Sequence, residues 1–337
     1  MSRSFAAMAF AGVVASAGCG STIGGAEGVA TPDGFEVSVV VDQLVGPTQF
    51  YLEHDGSIVA AHLNGGENES GGRVVRLDPK GGETEVLFTG LDKPTGVLAR
   101  DDEIWVMEAT QLSRGSASGG RLETVLTDLP NNGRSQGTLT LTPDGDVLFN
   151  TSGSKRGAMV AEGSGRLWQV SDDGIPVEVA SGFKHAYAHA FGSDGVLWST
   201  EMSDGKFDGQ IPEDELVQVI EGVDHGWPYC VGANRPVAEF GRQECDGVPE
   251  SIVTFGPGAT PTSVVLSPFV DGGLHVALWA RGEVVSLSQQ AKPGRGDGFV
   301  PFLSGLVGPQ HLVAHDGRLY ISEFGSDRIL AVVPANP

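Results

Sequence analysis

With 337 residues, 50 of them glycine, 43 acidic and 21 basic, the chain carries a formal net charge of -22. That charge repels nucleic-acid phosphates and anionic headgroups, which bind clustered Lys and Arg, so nucleic acid and a bare membrane surface are excluded as main partners. Only 19% of residues are charged and long 3.6-period stretches are scarce, which excludes a helical bundle and points to many short strands joined by tight turns in one domain.

The chain opens Met1-Ser2-Arg3, runs through an apolar stretch from Phe5 to Ala17 and reaches Gly18-Cys19. A basic tip, a core too short to span a bilayer and small residues ahead of a cysteine read as a cleaved export signal over residues 1–18. The small residues before Cys19 resemble a lipobox, so Cys19 is expected to carry lipid. Because Ser16 stands where an aliphatic residue is usual, plain secretion is the alternative. Residues 19–34 read as a Gly/Ala/Ser tether, and the expected location is the periplasm, a lipid-anchored membrane face or the exterior. Past the leader only Cys230 and Cys245 remain. They flank a turn-rich segment, and in an oxidising compartment they are expected to pair.

From Phe35 onward one phrase recurs: an apolar residue, two variable residues, Pro-Thr or similar, an alternating strand, an acidic-Gly turn and a second strand. Its copies start around Pro47, Pro94, Thr138, Ala186, Pro261 and Pro309, in steps of 47, 44, 48, 75 and 48 residues. Six units with a period in the mid-forties, each long enough for four strands, predict an all-β, six-bladed β-propeller over residues 35–334. Asp55-Gly56, Asp144-Gly145, Asp194-Gly195 and Asp316-Gly317 supply the hairpin turns. The strand Phe35–Val41 is expected to pair with Arg328–Val333 and close the ring, removing the open edges of an arc. The 75-residue step carries about 27 extra residues between Met202 and Ser251, predicting a loop insertion after the inner hairpin of the fourth blade.

Leading into and through that insertion, Leu197-Trp198-Ser199-Thr200-Glu201-Met202, Ile211-Pro212-Glu213-Asp214-Glu215-Leu216 and Asp224-His225-Gly226-Trp227-Pro228-Tyr229-Cys230 follow in order. This combination resembles the glucose/sorbosone dehydrogenase family, closest to its sorbosone branch, and a thinner resemblance extends from about Asn131 to Pro334. The resemblance implies a six-bladed propeller using pyrroloquinoline quinone (PQQ) and calcium to oxidise a sugar or related polyol. It implies calcium at Glu215 and at the main-chain carbonyl of His225, with Asp214 beside them. Carboxylate and carbonyl oxygens are the hard ligands that ion prefers. It also implies quinone contacts at Lys184 and His185, where the family's Arg and Asn stand, and at Arg281.

The family's proton-accepting His, at the approach to the third blade, has no counterpart in Leu129-Pro130-Asn131-Asn132-Gly133-Arg134-Ser135-Gln136-Gly137. Asn cannot serve as that base, so His185 and His311, at neighbouring blade openings, are the candidates. His189 aligns with inward positions of other blades and is expected to be a hydrogen-bonded core residue, whereas His54 and His315 precede turns. Two other readings stay open. One is a non-catalytic propeller, a sensor or binding module. The other is a calcium-dependent lactonase in which Glu108, Asn150 and Glu201, at the ends of successive inner strands, converge on the metal.

Overall fold

The computed structural model describes residues 26–67, 69–79, 84–288 and 298–335; the stretch read as an export signal, and Cys19, lie outside them. Six four-stranded antiparallel sheets follow one another around a ring. Their inner strands are Pro47–Leu52, Gly96–Arg100, Thr140–Leu141, Ala186–Phe191, Pro261–Leu266 and Pro309–His315, numbered here as blades 1 to 6. The Asp-Gly pairs sit between the first and second strands as their chemistry requires, Gly56 at φ 88° and Gly145 at φ 89°. Closure takes place in blade 6, where Phe35–Val41 adds antiparallel to Arg328–Pro334, from Phe35 opposite Pro334 to Val41 opposite Ile329. The first strand of the chain thereby completes the last sheet.

There is no single core. Apart from a small cluster in the blade 4 insertion, the buried apolar side chains among the described residues fall into six clusters, one at each blade interface. Trp105, Met107 and Phe149 fill the gap between blades 2 and 3, and Phe255, Val264 and Val276 that between blades 4 and 5. The open axis is knitted by polar side chains instead. Gln49 of blade 1 donates from Nε2 to the Leu139 carbonyl of blade 3 (2.7 Å), while its Oε1 accepts from the main-chain N–H groups of Val97 in blade 2 and Leu139. Gln310 of blade 6 donates to the Tyr187 hydroxyl of blade 4 across 2.6 Å.

The extra residues of blade 4 split between 202–213, after the inner hairpin, and 219–252, between its third and fourth strands. They carry a small core of their own, Phe207, Trp227, Val231 and Val237. Trp227 lies over Gly153, where a Cβ would come within 2.8 Å of the indole, so blade 3 admits the insertion only with glycine there. Cys230 and Cys245 are disulfide-bonded, as expected. The tether differs from its sequence reading at its described end: Ala30 pairs with Ser304, and Ala26 and Val29 pack on the cluster between blades 5 and 6. Small side chains suit a tether, but here they also let backbone lie close against the ring.

Candidate functional site

Loops leading into the inner strands, together with those joining second to third strands, ring one mouth of the axis. They enclose a cavity of about 330 Å³ lined from all six blades, Thr48, Thr95, Ser135, Tyr187, Thr262 and Gln310 among its walls. That volume falls in the range of small-molecule sites, which is roughly 300–1,000 Å³. Trp279 and Phe324 add aromatic and apolar surface, and Lys93, Arg134, Glu67, Asp204 and Asp214 add charge.

His185 lines this cavity. It is buried, its edge meets the Tyr187 ring at 5.0 Å, and burial pushes its pKa down to about 3. The imidazole is therefore neutral at ordinary pH. A hydrogen bond to the main chain of Gln136 accounts for one ring nitrogen, and Nε2 has no protein partner. Nε2 is itself buried, so the ring edge and not this nitrogen meets the cavity as it stands. The other candidate base is placed differently. His311 does not line the cavity but packs edge-on against Phe50 at 5.5 Å, because its position in the strand turns it toward blade 1.

The expected basic cluster does not assemble at the mouth either. Lys184 Nζ pairs with Asp204 at 2.9 Å and donates to the Gly153 carbonyl, and Arg281 donates to the Phe255 carbonyl. Neither lines the cavity, since each is satisfied by a nearer partner. The cations that do line it, Lys93 and Arg134, come from the loops into blades 2 and 3 and were missed by the sequence reading. The Lys-Pro-Thr phrase at 93–95, in register with Gly-Pro-Thr at 46–48, was the available signal.

A second, much smaller cavity of about 20 Å³ lies behind Lys184 and is lined by Glu201, Glu215 and His225. It has room for one water or one ion. Glu201 accepts from the main-chain N–H of Lys184 (2.5 Å) and of His185 (3.1 Å); Glu215 accepts from that of Ala233. Burial raises the Glu215 pKa to about 7, and burial together with the nearby Glu215 charge lifts that of Glu201 well above the usual carboxylate range. Two buried carboxylates facing each other across paired strands fit one hard cation that would relieve both effects. Among the described residues no three His, Cys, Asp or Glu side chains converge as a ligand group, so main-chain oxygens would have to complete the shell. The His225 imidazole is stacked on Phe183 at 4.5 Å, which leaves only its main chain for such a role. Asp214 is not part of this site: its carboxylate accepts from the N–H groups of Ser203 and Thr260 and lines the large cavity. Next to Glu215 in a strand, it necessarily points the other way.

Glu108 and Asn150 behave like Glu201. Glu108 accepts from the Asp92 N–H and Asn150 from the Gly137 N–H, each bracing the loop into its own blade, and none of the three lines the axial cavity. They do not converge on a central metal. His189 is a core residue bonded to the Ala186 carbonyl, as expected.

No protein-family profile and no curated protein matches the chain. Solved structures do. A carbohydrate-active enzyme of family AA12 from Trichoderma reesei, in its calcium structure, aligns at TM-score 0.74 and 13% identity over 91% of this chain and 97% of its own. The holo PQQ domain of pyranose dehydrogenase from Coprinopsis cinerea gives 0.72 and 14% over 90% and 97%. The PQQ-bound aldose sugar dehydrogenase from Streptomyces coelicolor gives 0.68 and 17% over 90% and 99%. This chain has the fold of the PQQ-type sugar dehydrogenases. At such identities the likeness is one of architecture, and the chemistry of this propeller has to be argued from its own residues.

Proposed function

We propose that the axial cavity is the site of a calcium-containing, PQQ-dependent dehydrogenase acting on a sugar or related polyol. The observation that carries this reading is the axial cavity itself, of ligand size and lined from all six blades, with His185 the one histidine among its described lining residues. Bound there, the quinone would supply the hydride acceptor. His185 would take the hydroxyl proton, and Trp279 and Tyr187 would flank the ligands. Glu201 ties the two cavities together, since the carboxylate facing the small one also holds the His185 main chain. A cation there would keep Glu201 ionised and the His185 loop fixed.

A non-catalytic binding propeller is the second reading, supported by the pairing of Lys184 with Asp204 and by the absence of a His in residues 129–137. Equilibrium binding of PQQ to apoprotein in calcium, followed by a panel of aldoses with an artificial electron acceptor, separates the two. Saturable quinone binding with sugar-dependent acceptor reduction supports the dehydrogenase. Binding without reduction favours the second reading, and no quinone binding overturns the proposal.

A further inference from the structure

We propose that Lys93 and Arg134 form a carboxylate-binding subsite at the rim of the axial cavity. The inference deepens the dehydrogenase reading and rests on it for the identity of the ligands. It starts from the backbone. In four lead-in loops the residue before the proline is left-handed: Gly46 at φ 55°, Lys93 at 50°, Thr260 at 58° and Gly308 at 65°. Glycine takes this conformation freely and residues with a β-carbon do not. At 93 the chain keeps a lysine against the preference of its own backbone, and that side chain lines the cavity.

Arg134 reaches the same rim from the next loop, and Lys93 Nζ donates to its carbonyl at 3.4 Å. Neither cation occurs in the nine ion pairs among the described residues. The other charges at the cavity are differently engaged. Asp204 is paired with Lys184, Asp214 caps two main-chain N–H groups, and Glu67 sits on the blade 1 side, where its charge is felt at Tyr187. A molecule of net charge -22 repels anions at long range, so an anionic ligand dwells only where cations are local. The guanidinium fork matches a carboxylate and the ammonium adds a point charge. The carboxylate can belong to the quinone or to a sugar acid used as substrate.

The test is calorimetric titration of the full-length protein in calcium with PQQ, with gluconate and with glucose, for wild type, Lys93→Gly and Arg134→Gln. Lys93→Gly removes the cation while restoring the residue this backbone prefers, so its melting temperature is expected to match or exceed wild type. Each variant is expected to weaken binding of at least one anion about tenfold, the scale of one lost charged hydrogen bond, without changing glucose binding. Loss confined to PQQ assigns the subsite to the quinone, and loss confined to gluconate assigns it to an acidic substrate. Wild-type affinity for both anions in both variants, or no anion binding by the wild type, overturns the subsite. If gluconate binding depends on Lys93 and Arg134 while PQQ does not bind at all, the subsite stands and the quinone reading falls.

Discussion

His185 and His189 differ by four positions and by an entire role. Both are buried and neutral and each keeps one buried ring nitrogen without a partner, but His189 is bonded to the Ala186 carbonyl of its own strand, whereas His185 lines the axial cavity. Because the His185 pKa lies near 3, its deprotonation is complete well below neutrality. We expect turnover to show no acid limb near pH 6.5, checked by kcat/KM from pH 5 to 8; a limb there in the wild type would mean that His185 titrates near neutrality, contrary to its lowered pKa. Gln49 supports the opposite kind of prediction. Its amide serves three main-chain groups in two other blades, so Gln49→Leu strands buried partners and should cost at least about 2 kcal/mol in denaturant titrations. The repeat placed Gln49 on an inner strand, but the bonds it makes depend on how six blades curve round an axis, which no local pattern encodes.

At the scale of elements, the insertion of blade 4 supplies much of the wall of the small cavity. Its motif was legible because residues that build the small cavity are close in sequence: Glu215 in one strand, His225 and Trp227 in the loop behind it. Glu201 was harder to assign, since its strand end looks like those of Glu108 and Asn150, and only the cross-strand pairing with Glu215 gives it a second use. Asp214 was misassigned for the simplest reason, that neighbours in a strand face opposite ways. We expect Glu215→Ala to lower the melting temperature in calcium and change it little in chelator, because only the ligated form loses mass-action stabilisation. Equal shifts in both would make Glu215 an ordinary buried acid. The disulfide spans 15 residues of the same insertion, and replacing both cysteines with Ser should cost roughly 3 kcal/mol by loop-closure entropy, read as a shift in the urea midpoint.

For the molecule as a whole, the ring and its closure followed from six spaced copies of one phrase, whereas the lining of the axial cavity did not. Lys184 and Arg281 matched a family pattern in sequence yet found nearer partners in Asp204 and the Phe255 carbonyl. The interior also sets the response to acid. His185, His189, His225, His275 and His311 all have pKa values lowered to about 3 or 4, below the ordinary 6.5, by burial. The unfolded chain therefore binds protons that the native one refuses, and stability present above pH 6.5 is lost as pH falls toward 4. Glu215, raised to about 7, acts in the other direction, and without a cation its contribution is lost as pH rises through 7. Melting temperatures at pH 4.5, 6.5 and 8 in chelator should thus peak near the middle value, with calcium restoring the alkaline side. The most direct test of the account is single-turnover reduction of PQQ bound to the calcium-loaded protein, followed by the quinone absorption change after mixing with an aldose, in wild type, His185→Ala and His311→Ala. We expect reduction in wild type and His311→Ala and a rate lower by about 100-fold or more in His185→Ala; equal rates in wild type and His185→Ala would contradict the placement of the base, and a quinone that stays oxidised with every sugar would contradict the dehydrogenase itself.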